Sequence, residues 1–173
     1  IVVVDHHRRG TDYIENATLT FHEAYASSAA ELVTEIIEYA TNDIVLNQIE
    51  AESLYAGIMV DTKNFTFKTG VRTFEAAAYL RKCGVDIIKV KKWFQSDLET
   101  YNKISEIVAN AEVINDTIGI SIYDKEEPDT SLICAKSADE LLTISNITAS
   151  FVIGNLGDKI CISGRSIGDI NVQ

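Results

Sequence analysis

Four apolar residues, Ile1-Val-Val-Val4, run without interruption into Asp5-His6-His7. All four are β-branched and none alternates with a polar residue, which predicts a parallel strand buried on both faces. Ser28-Ala-Ala-Glu31 has the form of a capping box, and Leu32, Ile36 and Ile37 follow at helical spacing. Together they predict a helix over about 29–40. Leu54, Ile58 and Asp61 stand at i, i+4 and i+7 of a second helix over about 47–60, which places Asp61 at the end of its apolar face. A third helix is expected over 73–82, with Gly84 in the stopping position just beyond it. Asp86 and Asp97 suit the caps of two more helices, about 87–94 and 98–110.

The pattern changes after residue 110. Residues 111–114 and 117–123 read as strands around Asn115-Asp116, a hairpin signal. Pro128, the only proline, stands in a break near 124–130. Ser137-Ala-Asp-Glu140 is a second capping-box pattern, expected to open a short helix reaching about residue 145. Residues 147–153 and 159–163 read as strands joined around Gly157-Asp158. The fold class expected is α/β: a helix-rich domain over 1–96 around a parallel sheet, a connecting helix over 97–110, and a smaller α+β domain over 111–173.

Composition narrows the function classes. The chain has 173 residues, 46% hydrophobic and 24% charged, as in ordinary soluble domains. No apolar stretch approaches a membrane span of about 20 residues. The chain opens in mid-strand without a starting Met, so it is read as part of something longer. A net charge of −11 argues against a long nucleic acid as partner, because such binders need a basic footprint. A small phosphorylated ligand remains compatible, since a bound metal can supply local positive charge. Cys83, Cys134 and Cys161 are odd in number and form no CxxC pair, so they are expected to be reduced, buried thiols.

Open α/β sheets bind ligands beyond the carboxyl ends of their strands, where Asp5, His6 and His7 would stand. Carboxylate plus imidazole suits Mn²⁺ or Zn²⁺, although a strand can also end in such residues by chance. Asp61, in Gly57-Ile-Met-Val-Asp61-Thr62-Lys63, could ligate a metal or cap a turn. A two-metal site holds its ions about 3.5–4 Å apart and draws ligands from several elements. Asp5, His6, His7 and Asp61 have the right chemistry but are too few. Asp12, His22 and Glu23 are near in sequence, and His22 reads as a packing or surface residue.

The ordered set of motifs resembles the DHH phosphoesterases. Val-Val-Asp5-His6-His7-Arg-Arg matches the motif that names them. Further likeness runs through Tyr25-Ala-Ser-Ser-Ala-Ala-Glu-Leu-Val33, Gly57–Phe65, Thr69–Leu80, Ala149–Ile153 and Ile162-Ser-Gly-Arg-Ser-Ile167 onward to Gln173. The branch it is similar to is the membrane-anchored bacterial cyclic-di-AMP phosphodiesterases, of DHH plus DHHA1 architecture.

The resemblance implies hydrolysis of cyclic-di-AMP to linear pApA with two Mn²⁺ ions. It implies His6 and Asp61 as metal ligands, Asp5 as the residue orienting an imidazole, and His7 over the phosphate. Arg165 and Ser166 would contact substrate phosphate, and Ser28 could add a contact at its helix start besides its capping role. The remaining ligands are expected before residue 1 and a Gly-rich loop after 173, so residues 1–173 alone are expected to be inactive. Expected partners are the cyclic dinucleotide and a second copy of the chain, with no membrane contact by these residues. The longer protein would sit at the cytoplasmic face of the bacterial membrane. The rival readings are an oligoribonucleotide or 3′-phosphoadenosine-phosphate hydrolase, and a catalytically dead sensing or interaction module.

Overall fold

The computed structural model describes residues 1–11, 13–40, 44–167 and 170–172, so Asp12 and, within the 162–173 motif, Gly168, Asp169 and Gln173 lie outside the described residues. The chain divides into two compact units, 1–95 and 96–173.

In the first unit, β1 (Val2–Asp5) and β2 (Leu19–His22) pair in parallel. The register sets Val4 opposite Phe21 and Asp5 opposite His22. Burial on both faces, expected for β1, does not hold: Val2 is 62% exposed and its partner Leu19 53%. The reason is that α1 (Ala29–Tyr39) is the only helix among the described elements that packs closely on the strand. The rest of the unit is α2 (Gln48–Asp61), α3 (Val71–Lys82) and α4 (Ile87–Trp93). Its core lies between these helices, with Ile58, Leu80, Val85 and Val90 wholly buried. Burying each such side chain stabilises by about 1.5–3 kcal/mol before entropy is counted.

Local chemistry sets the helix starts. Ser28 Oγ accepts from the Glu31 N–H at 3.0 Å, but the other half of the expected box is not made. The Glu31 carboxylate instead accepts from Ser27 Oγ at 2.5 Å, and all three residues are buried. Asn47 and Glu50 form a complete box at the start of α2. Asp86 accepts from the N–H groups of Ile88 and Lys89. Gly84 takes φ +99, which ends α3.

The second unit begins with α5 (Leu98–Ala109), followed by β3 (Glu112–Ile114), β4 (Ile118–Tyr123), α6 (Thr130–Leu141), β5 (Ala149–Asn155) and β6 (Ile160–Ser166). The sheet order is β3-β4-β5-β6, with β4 and β5 parallel and the two outer pairs antiparallel. Asn115 and Asp116 both adopt positive φ, as a tight hairpin turn requires. The helix expected to connect two domains, α5, packs on α6 and β4 inside this unit. Its Ile107 joins Ile133, Cys134, Leu141 and Val152 in a buried core between helices and sheet.

Two expectations need correction here. Ser137-x-x-Glu140 does not open a helix. α6 starts at Thr130, where Thr130 Oγ1 accepts from the Glu127 N–H at 3.0 Å, and Ser137 lies buried in the helix interior. Apolar positions at Ile133, Cys134, Ala138 and Leu141 carry the buried face straight through the supposed start. Of the three cysteines, only Cys134 is fully buried, while Cys83 and Cys161 are half-buried.

Candidate active site at the strand ends

Parallel pairing brings the carboxyl ends of β1 and β2 together, and Asp5, His6, His7 and His22 all stand there. Asp61 arrives from the last residue of α2. Its Oδ2 lies 3.5 Å from His6 Nε2, and the His6 side chain is only 14% exposed. Metal–ligand bonds of about 2.1 Å at angles between 90° and 110° would put two donors roughly 3.0–3.5 Å apart. The His6–Asp61 pair therefore fits two coordination positions on one divalent ion. Among the described residues no group of three or more His, Cys, Asp or Glu is arranged to hold a metal. The pair supplies part of a metal site, and further donors would be required.

Asp5 makes a different kind of contact. Its Oδ1 accepts from the His7 backbone N–H at 3.1 Å and from His7 Nδ1 at 2.8 Å. A carboxylate only accepts, so the proton is on Nδ1 and Nε2 is turned elsewhere. The His7 side chain is 76% exposed, in contrast to His6. The two rings lie 4.4 Å apart between centroids. The His7 backbone N–H, followed by its ring, holds the Asp5 carboxyl below the ordinary carboxylate value of 3.8.

His22 was not anticipated in this cluster. Its Nε2 donates to the His7 carbonyl at 2.5 Å and stands 3.9 Å from Asp5 Oδ2. The signal was available in the sequence: a second short apolar run ending in a histidine, Leu19-Thr-Phe-His22, can pair with β1 only if both ends reach the same edge. Arg72 at the start of α3 bridges Glu35 at 2.7 Å and Glu23 at 3.2 Å, so it ties the loop after β2 to α1. Both carboxylates raise the Arg72 pKa, with Glu35 the larger cause.

The chain leaves Asp61 through an unusual turn. Lys63, Asn64 and Phe65 take φ of 46, 60 and 63, all left-handed and none glycine. Each costs roughly 1–2 kcal/mol. Thr62 holds the turn: its Oγ1 donates to Ile58 O at 2.6 Å and accepts from Phe65 N–H at 3.0 Å. Phe65 packs between Tyr55 and Phe74, at 5.6 and 5.8 Å between ring centroids. Such over-determined strain is found at functional sites.

The other sequence candidates make contacts of their own. Ser28 is wholly buried and occupied as the cap of α1. Arg165 and Ser166 lie on β6 in the second unit. Arg165 Nε donates to Asp139 at 3.2 Å, and its Nη1 donates to Gly164 O at 2.9 Å.

Asp5, His6 and His7 thus stand at the end of a parallel strand pair, with Asp61 facing His6 from a helix end, and comparison with known proteins shows what this arrangement resembles. Residues 1–58 match the model of the DHH family, N-terminal domain. Over its whole length the chain is 47% identical to the cyclic-di-AMP phosphodiesterase GdpP of Geobacillus thermodenitrificans. It is 43% identical to GdpP of Bacillus subtilis and 44% identical to the cyclic-di-AMP phosphodiesterase PdeA of Listeria monocytogenes. The chain spans 26–27% of the length of these relatives. A crystal structure of an exopolyphosphatase-related protein from Bacteroides fragilis superposes with a TM-score of 0.83 over 96% of this chain and 51% of that one. At 22% identity that likeness establishes the fold.

Proposed function

We propose that this chain is part of a two-metal phosphodiesterase that hydrolyses cyclic-di-AMP to pApA, with the second unit acting as its DHHA1 domain. The observation that carries the reading is the His6–Asp61 pair, two donors 3.5 Å apart at the carboxyl end of a parallel strand. The names of the relatives point to the same substrate. His6 and Asp61 would each give one ligand to Mn²⁺, with the remaining ligands drawn from the longer protein. Bound Mn²⁺ would lower the pKa of the attacking water and offset charge on the phosphoryl oxygens.

The chain's own residues supply orientation and proton transfer. Asp5 fixes the His7 ring through Nδ1, so Nε2 is presented to solvent, where the ring in its doubly protonated imidazolium form can give the Nε2 proton to the departing ribose oxygen. Arg165 can grip a phosphate with two parallel N–H bonds. Its present partner Asp139 is half-exposed, and such pairs stabilise by only about 0–1 kcal/mol, so a phosphate can displace it. Ser166 follows on the same strand and can add a hydroxyl. Ser28 contributes indirectly, by holding the start of α1. The longer protein is read as membrane-anchored and dimeric, with this part on the cytoplasmic side. No helix among the described residues is long and apolar enough to cross a membrane.

The test is turnover of cyclic-di-AMP against a linear dinucleotide by the whole protein with Mn²⁺. The cyclic substrate is expected to be preferred. His6→Ala and Asp61→Ala should each lose more than the roughly 100-fold that removing an outer-sphere partner costs. Retained activity in both variants would reject the site, and a strong preference for the linear substrate would favour an oligoribonucleotide hydrolase. Residues 1–173 alone should bind Mn²⁺ weakly and hydrolyse neither substrate. Robust turnover by them would show the ligand set to be complete without flanking sequence.

A further inference from the structure

Cys134 on α6 and Cys161 on β6 meet over Gly154 of β5. Gly154 is the cross-strand partner of Cys161. A Cβ on Gly154 would stand 2.5 Å from the Cys134 Sγ and 2.8 Å from the Cys161 Sγ. No real Cβ tolerates either distance, so the missing side chain is what lets the two sulfurs share that space. Both sulfurs lie within 2.8 Å of that one point, so they stand no more than about 5.3 Å apart. Their surroundings differ. Cys134 is wholly buried in the core of the second unit, while Cys161 packs at its margin and is half-buried.

We propose that Cys134 and Cys161 are a redox-modification site, forming a reversible disulfide that fixes α6 to β6. A small disulfide such as oxidised glutathione is the oxidant. The Cys161 thiolate attacks one of its sulfurs, breaks the S–S bond and releases one glutathione thiolate, leaving a mixed disulfide on Cys161. Cys134 then attacks the Cys161 sulfur and releases the second glutathione, whose departing thiolate takes up the Cys134 proton. Two protein thiols are oxidised and one glutathione disulfide is reduced to two thiols. Cys161 attacks first because it can be reached and because burial pushes the Cys134 thiol up to about 12. The second step is intramolecular, which offsets that poor nucleophilicity.

The site has a consequence for function. The Asp139–Arg165 pair joins the same two elements, with Asp139 further along α6 than Cys134 and Arg165 further along β6 than Cys161. A covalent tie between α6 and β6 sets their spacing and thereby the freedom of Arg165 to leave Asp139 for a phosphate. This consequence rests on the proposed role of Arg165, whereas the bond itself does not.

The reduced chain is incubated with oxidised glutathione and digested without reductant for peptide mass spectrometry. The expected product joins the Cys134 and Cys161 peptides, lighter by two hydrogens than their sum, and dithiothreitol returns it to the thiols. Cys83→Ser should form the link unchanged. Cys161→Ser should leave Cys134 unmodified under the same conditions. A persistent glutathione adduct on Cys161 with no link would overturn the proposal. So would glutathione on Cys134 in Cys161→Ser at the rate seen for Cys161 in the parent. In the whole protein, oxidation should slow cyclic-di-AMP turnover reversibly, and Cys161→Ser should abolish that response. A link without any change in turnover overturns the regulatory consequence. A whole protein inert toward cyclic-di-AMP in both redox states defeats the proposed function, while the peptide masses still decide the bond.

Discussion

The first unit keeps its core between helices, where Ile58, Leu80 and Val90 are enclosed by α2, α3 and α4, and its two-stranded sheet is left half-covered. The second unit keeps its core between a four-stranded sheet and two helices. Their strand ends differ accordingly. At the end of β5, Asn155 spends its side chain on the chain itself, donating to Asp124 O at 3.0 Å and accepting from Gly157 N–H at 2.8 Å. At the ends of β1 and β2, the polar side chains meet one another, His6 with Asp61 and His7 with Asp5. Asn155 has a structural explanation that is complete within the turn. For the imidazoles and carboxylates of the first unit, folding alone gives no reason to gather five of them at one edge, which is why the chemistry is proposed there.

After the His6–Asp61 pair, the largest effect that tests this contrast is expected at Asp5. Asp5→Asn keeps an oxygen to accept from the His7 N–H groups but removes the charge. If Asp5 serves chemistry by orienting and polarising His7, whole-protein turnover should fall by about 10–100-fold. If it only shapes the turn, turnover should stay within a factor of about two, because the hydrogen bonds survive. Stability has its own pH signature. The folded-state pKa lies below 3.8, so Asp5's contribution is complete above that value and disappears as the pH falls through the lower folded-state one. Acid unfolding of wild type and Asp5→Asn should therefore converge in that acid range and separate above it.

Much of this was legible in the sequence, for identifiable reasons. Caps at Asp86 and Asp97, the stop at Gly84 and the turn at Asn115-Asp116 are local devices whose geometry follows from one or two residues. Asp5, His6 and His7 are contiguous, so a strand end places them together. His22 became part of the cluster only through parallel pairing over a separation that no local pattern encodes. The left-handed run at Lys63, Asn64 and Phe65 carries no glycine to announce it and depends on Thr62 and the Tyr55–Phe65–Phe74 stack. Which side of Ser137 the helix begins on was decided by the turn after Pro128, not by the tetrad that Ser137 opens.

A smaller effect compares the two Ser-x-x-Glu tetrads directly. Ser28 satisfies the N–H of Glu31 at the start of α1, so Ser28→Ala should cost about 1 kcal/mol of stability. Chemical denaturation of residues 1–173 measures it. A cost near zero would mean that the buried Ser27–Glu31 bond, rather than the cap, sets the helix start.

Ser137 should behave in the opposite sense, and the sign matters more than the size. It sits in the interior of α6, wholly buried, and its Oγ has no hydrogen-bond partner. An unpaired hydroxyl away from water loses the bonds it had in the unfolded chain and gains none. Alanine removes that hydroxyl, leaves a void no larger than one oxygen, and has the higher helix propensity. Ser137→Ala should therefore be neutral or stabilise the second unit by up to about 1 kcal/mol, whereas alanine at a true N-cap would destabilise by about the same amount. Denaturant midpoints at unchanged slope distinguish the two. Destabilisation would return Ser137 to the start of a helix and make residues 130–136 something other than its first two turns.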